Sequence, residues 1–333
     1  MKNCRIVLGL SAAALAMGFA GCGKPYHESE ERYVLVVANV NLPYWQEAQA
    51  GLMDVGKTEG VKVEMVGPTT FSPSEELKTF EQVVAQKPSG ILVSASDADL
   101  FKEPIDKAVL EGIPVICMDA DSPDSRRVLF IGTDNYRAGQ QAGKIMAKVL
   151  GGTGNVVLIT LPNQHNTEER KRGLDDVLKT YPGMKIVETL DDKGDPRNAD
   201  DEVTALLQKK KEKVDGIIGL EASGGQGAAE ALHLLDLTGK IKIVAFDKDP
   251  ATLDAIEKGW ITATVAQKPY VMAFYGVRFL DDLHHNVVHE FKDWATAPAG
   301  PLPTFVDTGT AVIDSSNLAT FRKALAEHPK PVF

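Results

Sequence analysis

Short apolar runs alternate with helix-length segments through most of the 333-residue chain, and this alternation limits the folds that it can adopt. Several runs are apolar at nearly every position, as expected of parallel strands that helices cover on both faces. The intervening stretches, such as 73–88 and 135–150, carry apolar residues at three- and four-residue spacing, which predicts helices. We therefore predict a doubly wound α/β fold. The predicted strands are YVLVVAN, VKVEMV, GILVSA, IPVICM, NVVLIT, KIVET, VDGIIG, IKIVAF and ITATVA.

Polar and aromatic side chains come directly after almost every predicted strand. Ligands of doubly wound sheets bind beyond the carboxyl ends of the strands, so these residues are candidates for a binding site. In the stretch IVAFDKDP, residues 243–250, an apolar strand runs directly into Asp247. Asp249 precedes Pro250 and is the better candidate for the helix N-cap, with proline at the first helical position. Asp247 is therefore expected to face a crevice.

The first 22 residues differ from the rest of the chain. Two basic residues stand among the first five, and residues 6–20 are almost wholly apolar or small. This pattern is typical of a secretory signal peptide and is too short for a comfortable membrane span. The segment ends in FAGC, which resembles a lipoprotein lipobox, with Phe19 where that pattern usually has Leu. We predict a signal peptide over residues 1–21, a lipid on Cys22 and a tether over residues 22–32.

The net charge and the cysteines narrow the class of protein further. The net charge of −10 would repel a phosphate backbone, so we expect no nucleic acid partner. Of the three cysteines, Cys4 lies in the predicted leader and Cys22 would carry the lipid. Cys117 is left inside the apolar run IPVICMD. One thiol cannot form an internal disulfide, so Cys117 is expected to be a small core residue.

Seven ordered motifs give the chain a resemblance to a known family. They are NLPYW, ILVSASD, IPVICMD, IGTDNYRAG, ERKRGL, VAFDKDP and GWITATVAQKP. Each is weak alone, but their order and spacing resemble the periplasmic sugar-binding proteins of ABC importers, of the ribose-binding type. The resemblance covers about residues 33–327. It implies two α/β lobes, joined by three crossings and closing on a sugar. The first lobe would comprise residues 33–134 plus 268–306, and the second residues 135–267 plus 307–333.

The resemblance also implies a set of ligand-binding side chains. These suit a sugar, because aromatic rings cover its C–H faces while carboxylates, arginine and glutamine bond its hydroxyls. Tyr44 and Trp45 match the residues that stack on the sugar ring, and Arg170 falls where the family places its ligand arginine. The polar residues that match family ligands, or positions where relatives often carry Asn or Asp, are Ser94, Asp119, Glu221, Asp247 and Gln267.

The chain departs from the ribose-binding type at three places. Leu42 stands where that type has Asn, Ala120 follows Asp119 where it has Arg, and LDDKGDP at 190–196 offers no aromatic residue from the second lobe. The identity of the sugar therefore does not carry over. Carboxylates outnumber the single Arg170 in the predicted lining. This excess predicts a neutral monosaccharide or polyol, or an amino sugar, and not an anionic sugar.

Several of these residues have a second interpretation. Trp45 shares a helical face with three apolar residues and can instead be part of the core. Arg170 lies within EERKR and can be a solvated helix residue, and Asp119 can bind local backbone amides. The segment HHNVVHE pairs His285 with His289 at i, i+4 but lacks the HExxH order. We interpret it as a solvated helix face and predict no metal site.

Several functions remain open on the sequence alone. The leading hypothesis is a lipid-anchored receptor in the periplasm or at the cell surface, which delivers a sugar or polyol to the membrane subunits of an ABC permease. The alternative is a subunit that delivers this ligand to a membrane sensor kinase or chemoreceptor. A sugar-responsive repressor shares the implied fold, but the leader and the lack of a helix-turn-helix before residue 33 disfavour it. No nucleophile–base pair or cofactor motif emerges, so we expect a monomeric binding protein without cofactor or enzymatic activity.

Overall fold

The computed structural model describes residues 26–209, 213–287, 293–297 and 300–327. Within these ranges the chain forms twelve strands and ten helices, which alternate along most of its length. The predicted signal peptide, the lipidation site Cys22 and His289 lie outside the described residues. Within the same described ranges, no helix combines the length and the apolar character of a membrane span.

Six strands form the first sheet, and every neighbouring pair in it is parallel. These strands are β1 Arg32–Val36, β2 Lys62–Val66, β3 Gly90–Val93, β4 Val115–Met118, β5 Leu129–Gly132 and β11 Phe305–Asp307. They lie in the order β11-β5-β4-β3-β1-β2. The helices that accompany this sheet are α1 Pro43–Glu59, α2 Pro73–Ala85, α3 Ala98–Leu110 and α9 Pro269–His284.

The second sheet repeats this arrangement. Its strands are β6 Thr153–Thr160, β7 Gly183–Asp191, β8 Gly216–Gly219, β9 Lys242–Phe246, β10 Ala263–Ala266 and β12 Ala311–Asp314. They lie in the order β12-β10-β9-β8-β6-β7. When the strands of each sheet are ranked along the chain, both sheets have the same order: sixth, fifth, fourth, third, first, second. The one difference is that β12 runs antiparallel to β10. The helices of this sheet are α4 Asn135–Val149, α5 His165–Leu178, α6 Pro196–Lys209, α7 Ala222–Leu234, α8 Pro250–Glu257 and α10 Leu318–Glu327. We call each sheet with its helices a lobe.

Helices cover both faces of each sheet, and this explains the continuous apolar runs. In β1, Tyr33 and Leu35 belong to a core that includes residues of α1 and α9. Val34 and Val36 point to the opposite face and belong to a core with residues of α2 and α3. Because side chains alternate along a strand, a strand covered on both faces must be apolar at every position. The predicted doubly wound α/β class is confirmed.

The chain passes between the lobes three times. It leaves β5 at Gly132 for α4, leaves β10 at Ala266 for α9, and runs from β11 at Asp307 to β12 within a few residues. The lobe boundaries expected from the sequence remain a prediction. Three strands, β5, β11 and β12, are absent from the nine predicted ones. β11 and β12 are edge strands that are half-buried or exposed at most positions, so their apolar runs are short. β5 is different, because it is buried at every position and lies in the apolar run VLFI at 128–131, so the sequence does carry its signal.

Two further sequence predictions are tested by side-chain burial. Cys117 is free and fully buried in β4, as expected of a core residue. The interpretation of HHNVVHE as a solvated helix face is wrong for His285. Its side chain is only 15% exposed, and its Nε2 atom lies 3.2 Å from a carboxylate oxygen of Glu31.

Candidate functional site

A cavity lies between the two lobes, where the carboxyl ends of strands from both sheets face each other. Seven of the eight residues predicted from the sequence line it, namely Tyr44, Trp45, Asp119, Arg170, Glu221, Asp247 and Gln267. The eighth, Ser94, is buried at the end of β3 but does not line the cavity among the described residues. The structure therefore brings most of the predicted set together, while the ligand-binding role of each residue stays a prediction.

Two aspartates occupy equivalent positions in the two lobes. Asp119 directly follows β4 and Asp247 directly follows β9, and each of these strands is the fourth of its sheet. Their φ angles are 69° and 68°, in the left-handed region that aspartate tolerates better than most residues. Each backbone N–H still donates to the neighbouring strand, to Ile131 and Val265 respectively. The left-handed conformation thus ends each strand where its carboxylate lines the cavity.

Asp119 connects the first lobe to the second. Its Oδ1 atom accepts a hydrogen bond from the Tyr44 hydroxyl at 2.6 Å. Its Oδ2 atom accepts from Asn166 Nδ2, in the second lobe, at 3.4 Å. Burial raises the pKa of Asp119, and the nearby Arg170 guanidinium partly offsets this rise. The interpretation that Asp119 serves only local backbone amides is therefore wrong, because its described partners are side chains from both lobes.

Asp247 accepts a hydrogen bond from Gln267 Nε2 at 3.0 Å, and Gln267 Oε1 accepts in turn from the Thr133 hydroxyl at 2.8 Å. Burial raises the pKa of Asp247 from 3.8 to about 7, with Arg170 acting in the opposite direction. The prediction for Asp249 is only half right. It occupies the N-cap position of α8, but its side chain makes no capping bond and accepts from Gln226 Nε2 at 3.2 Å.

Arg170 supplies the guanidinium of the site. It is 1% exposed, so the interpretation as a solvated helix residue is wrong. Its Nε atom donates to Asn135 Oδ1 at 2.8 Å and its Nη1 atom donates to the Leu220 carbonyl at 2.7 Å. Its Cζ atom lies over the Phe246 ring, 4.5 Å from the ring centroid. The Nη2 atom is buried without a hydrogen-bond partner. A buried donor of this kind is costly unless a ligand satisfies it.

A close approach of two helices places Arg170 at the cavity. A Cβ atom added to Gly139 on α4 would lie 1.8 Å from the backbone oxygen of Arg170 on α5. A Cβ atom on Gly173 of α5 would lie 2.0 Å from the backbone oxygen of Tyr136 on α4. Only glycine fits at both points, because backbone atoms cannot move aside as a flexible side chain can. The two glycines therefore set the helix separation that positions the guanidinium.

The aromatic residues Tyr44 and Trp45 are part of the first-lobe core and also form part of the cavity wall. Tyr44 and Trp45 are 7% and 4% exposed and pack edge to face, with ring centroids 4.9 Å apart. Both belong to the first-lobe core and both line the cavity. The two interpretations of Trp45 are therefore compatible. Phe71, also in the first lobe, lines the cavity and faces Gly194 of the LDDKGDP stretch in the second lobe, where an added Cβ atom would lie 3.1 Å from the Phe71 Cβ.

Glu221 serves the backbone as well as the cavity. It is the N-cap of α7, and its carboxylate accepts from the backbone N–H groups of Ser223 and Gly224 at 2.8 and 2.6 Å. Beside it lies Asp192, fully buried, whose pKa is raised by burial and by the neighbouring Glu221. Because the two oxygens of Glu221 already accept hydrogen bonds, it has less capacity for a ligand than Asp119 or Asp247.

Four polar or aromatic residues of the lining, Asn39, Phe71, Gln164 and Asn166, are not in the predicted set. Their positions just beyond strands are the signal that could have found them. Phe71 lies in GPTTFSP after β2, and the segment LPNQHN after β6 contains Gln164 and Asn166. Asn39 and Phe71 lie in loops, while Gln164 and Asn166 lie at the start of α5, and no run of apolar residues marks any of the four.

Contacts across the cleft join the lobes in a closed arrangement. The Lys248 ammonium, in the second lobe, contacts the Glu47 carboxylate of α1 and also donates to the Gln267 carbonyl at 3.1 Å. The Ala98 backbone N–H, in the first lobe, faces the Asn163 carbonyl of the second lobe at 3.5 Å. A molecule held in the cavity would therefore be bonded from both sides and shielded from water.

Comparison with known proteins agrees with this architecture. Residues 33–285 match a family model described as a periplasmic binding protein domain. The D-allose-binding periplasmic protein of Escherichia coli strain K12 is 26% identical over 260 residues, which are 75% of this chain and 83% of that protein. A solved sugar-binding protein of a sugar ABC transporter from Bacillus halodurans is 34% identical, with a TM-score of 0.78 over 87% of this chain and 100% of that one. AraP, an arabinose binding protein from Geobacillus stearothermophilus, is 36% identical, with a TM-score of 0.72 over 88% and 99%.

Proposed function

This chain belongs to the periplasmic binding protein domain family, and from that membership we propose that it captures a sugar or polyol outside the cytoplasm and delivers it to an ABC importer. The relatives named above are binding proteins, and the chain is a binding protein rather than an enzyme, as the sequence predicts. The observation that carries the proposal is the cavity between the lobes, where Arg170 presents an unpaired donor close to the carboxylates of Asp119 and Asp247.

The residues of the cavity suit a molecule with many hydroxyl groups. Carboxylates accept hydrogen bonds from hydroxyls, the guanidinium donates to them, and the rings of Tyr44 and Trp45 can cover a C–H face. Hydrogen bonds to charged groups contribute about 1.5–3 kcal/mol each. A dissociation constant near 1 μM requires about 8 kcal/mol in total. A few such bonds therefore give a useful affinity.

The charge of the cavity selects against anions. Asp119, Glu221 and Asp247 line it together with one cation, Arg170. A phosphate or carboxylate held beside buried carboxylates is repelled and also loses its hydration. The ligand we propose is a neutral monosaccharide or polyol, or an amino sugar.

A thermal-shift panel of neutral sugars, polyols, amino sugars, sugar phosphates and uronic acids tests this proposal. A ligand present at 100 times its dissociation constant adds about 2.7 kcal/mol to the free energy of unfolding. Titration calorimetry then compares the best neutral sugar with its phosphorylated and carboxylated analogues. We expect the anionic analogues to bind more weakly, and tighter binding of either one would contradict the proposed charge selection.

Capture by closure of the lobes is the mechanism we propose. A ligand that touches both lobes shifts the population toward the closed form by its difference in affinity for the open and closed forms. Small-angle scattering of the protein, with and without the sugar found in the panel, should show a smaller radius of gyration when ligand is bound. An unchanged radius at saturation would argue against a hinged receptor.

Membrane anchoring through Cys22 is also part of the proposal, and it rests on the FAGC motif of the sequence. The full-length gene and its Cys22→Ala variant are expressed, and both proteins are partitioned between the phases of a detergent extraction. We expect only the unmodified sequence to enter the detergent phase. Equal partition into water would refute the lipoprotein assignment.

Delivery to an importer is tested in the native host. A strain that lacks the gene should lose uptake of the labelled sugar, and a plasmid copy should restore it. Unchanged uptake, together with loss of a transcriptional or chemotactic response to the sugar, would assign the protein to a sensor pathway instead.

A further inference from the structure

A second group of polar side chains lies far from the cavity, in the first lobe. His27 and Glu31 precede β1, while Asp281 and His285 lie at the carboxyl end of α9. The cavity lies at the carboxyl ends of the strands, whereas this group lies near the amino end of β1. It therefore takes no part in sugar binding at the cavity.

The four side chains are brought close together from distant parts of the sequence. His27 Nε2 lies 3.2 Å from Asp281 Oδ1, which lies 3.6 Å from His285 Nε2. His285 Nε2 lies 3.2 Å from Glu31 Oε2. One potential ligand atom from each residue falls within 4.8 Å of all the others. We call these four side chains, from segments about 250 residues apart, the His27 cluster.

The spacing agrees with one kind of metal coordination. Zinc binds histidine nitrogen and carboxylate oxygen at about 2.0–2.2 Å, and its structural sites are tetrahedral with four protein ligands. The ligands of such a tetrahedron are separated by about 3.3–3.6 Å, as follows from those bond lengths. The separations of 3.2, 3.2 and 3.6 Å are close to this range. The remaining separations are no larger than 4.8 Å, so modest movements of the side chains would bring all four atoms within bonding distance of one ion.

The burial and the charge of these four side chains also favour a bound cation. Glu31 and Asp281 are 3% and 5% exposed, and the His27 and His285 side chains are 14% and 15% exposed. Two buried carboxylates that face two imidazoles lack compensating charge when the imidazoles are neutral. A divalent cation balances them fully, and it binds imidazole in the neutral form.

Neighbouring groups hold the carboxylates in place. The Tyr33 hydroxyl donates to Asp281 Oδ1 at 2.9 Å. The Glu28 backbone N–H donates to Glu31 Oε1 at 2.8 Å, which leaves Oε2 for the ion. The Tyr26 ring stacks on His285 with centroids 4.3 Å apart. Such outer contacts orient metal ligands and are typical of metal sites.

From this geometry we propose that the His27 cluster is a structural zinc site. It fastens the segment that precedes β1 to the carboxyl end of α9. All four ligands come from the protein, so no position is left open for a substrate, as in structural and not catalytic zinc sites.

The test uses the purified protein, stripped of metal with EDTA and titrated with zinc chloride. We expect one equivalent to bind and the melting temperature to rise by about 5 °C or more at zinc concentrations well above the dissociation constant. Cobalt(II) in place of zinc should give the intense visible absorption of a tetrahedral ion. Failure to bind one equivalent, or the weak spectrum of octahedral cobalt, overturns the proposal.

Variants identify the ligands. His27→Gln and His285→Gln should each lose the stoichiometric binding, and Tyr33→Phe should weaken it by about 10–100-fold. His233→Gln is the control, because this histidine lies in the second lobe and stacks on Trp260. Binding that is unchanged in both ligand variants overturns the proposal. If His285→Gln does not fold, the His27→Gln variant decides, because His27 lies outside every strand and helix.

Discussion

Replacement of Asp247 by asparagine should stabilise the ligand-free protein, and the gain should depend on pH. Asparagine keeps the shape of the side chain and can still accept the hydrogen bond from Gln267. It also tolerates the left-handed backbone, where φ is 68° at this position. The main change is therefore the loss of a buried negative charge.

The magnitude follows from the pKa of Asp247. Its folded-state value of about 7 lies above the ordinary 3.8 because of burial. A carboxyl whose pKa is raised in the folded state contributes stability below pH 4, and this contribution is lost as the pH rises through 7. At about 1.4 kcal/mol per unit, the difference between the ordinary and the folded-state pKa corresponds to about 4 kcal/mol of unfolding free energy. Asp247→Asn should escape this loss, so it should exceed the unmodified protein in stability by about that amount at pH 8.

Urea denaturation at pH 4, 6 and 8, monitored by circular dichroism, measures the difference. We expect the two proteins to be nearly equal at pH 4 and to separate progressively up to pH 8. Asp236→Asn is the matched control, because Asp236 has a similar φ of 55° but lies on the surface, and it should change stability little at any pH. A difference between Asp247→Asn and the unmodified protein that is the same at all three pH values would refute the reasoning.

Three further predictions concern the same site. Arg170→Lys removes the unpaired Nη2 donor and should weaken sugar binding by about 1.5–3 kcal/mol in calorimetry, whereas Arg172→Lys, exposed on the same helix, should leave it unchanged. Gly139→Ala should destabilise the protein by about 1–3 kcal/mol or more in urea denaturation, because its Cβ would meet backbone, while Gly143→Ala meets only side-chain atoms and should cost less. Sugar affinity should fall by at most tenfold per pH unit as the pH drops below about 7, because Asp247 becomes protonated and can no longer accept as a carboxylate. An affinity that stays constant from pH 5 to 8 would contradict this.

The fold class could be predicted because a parallel sheet with two covered faces leaves a strong pattern in the sequence. Ten strands appear as apolar runs, including β5, which is not among the nine predicted. The strands β11 and β12 do not, because an edge strand with little buried surface has no need of apolar residues. The boundaries between the lobes are also hard to predict from the sequence, because the three segments that pass between the lobes are short and have no distinctive composition.

The site could be predicted in part, because strand ends are where ligands of such sheets bind. Asp119, Asp247 and Gln267 directly follow strands, so a local pattern is sufficient to find them. The unpaired state of Arg170 Nη2 depends on contacts with α4 and Leu220, which are distant in the sequence. Asp249 occupies the expected N-cap position, but its side chain makes no capping bond and accepts a hydrogen bond from Gln226 of a neighbouring helix, which local sequence does not reveal.

The late return of the chain to the first lobe has a consequence for the order of folding. The helix α9, which packs against α1, and the edge strand β11 both come after all but one strand of the second lobe. About 150 residues separate the end of β5 from the end of α9, which is about 8–30 s of synthesis. During that time the first lobe lacks one covering helix and one strand, so it cannot complete its core.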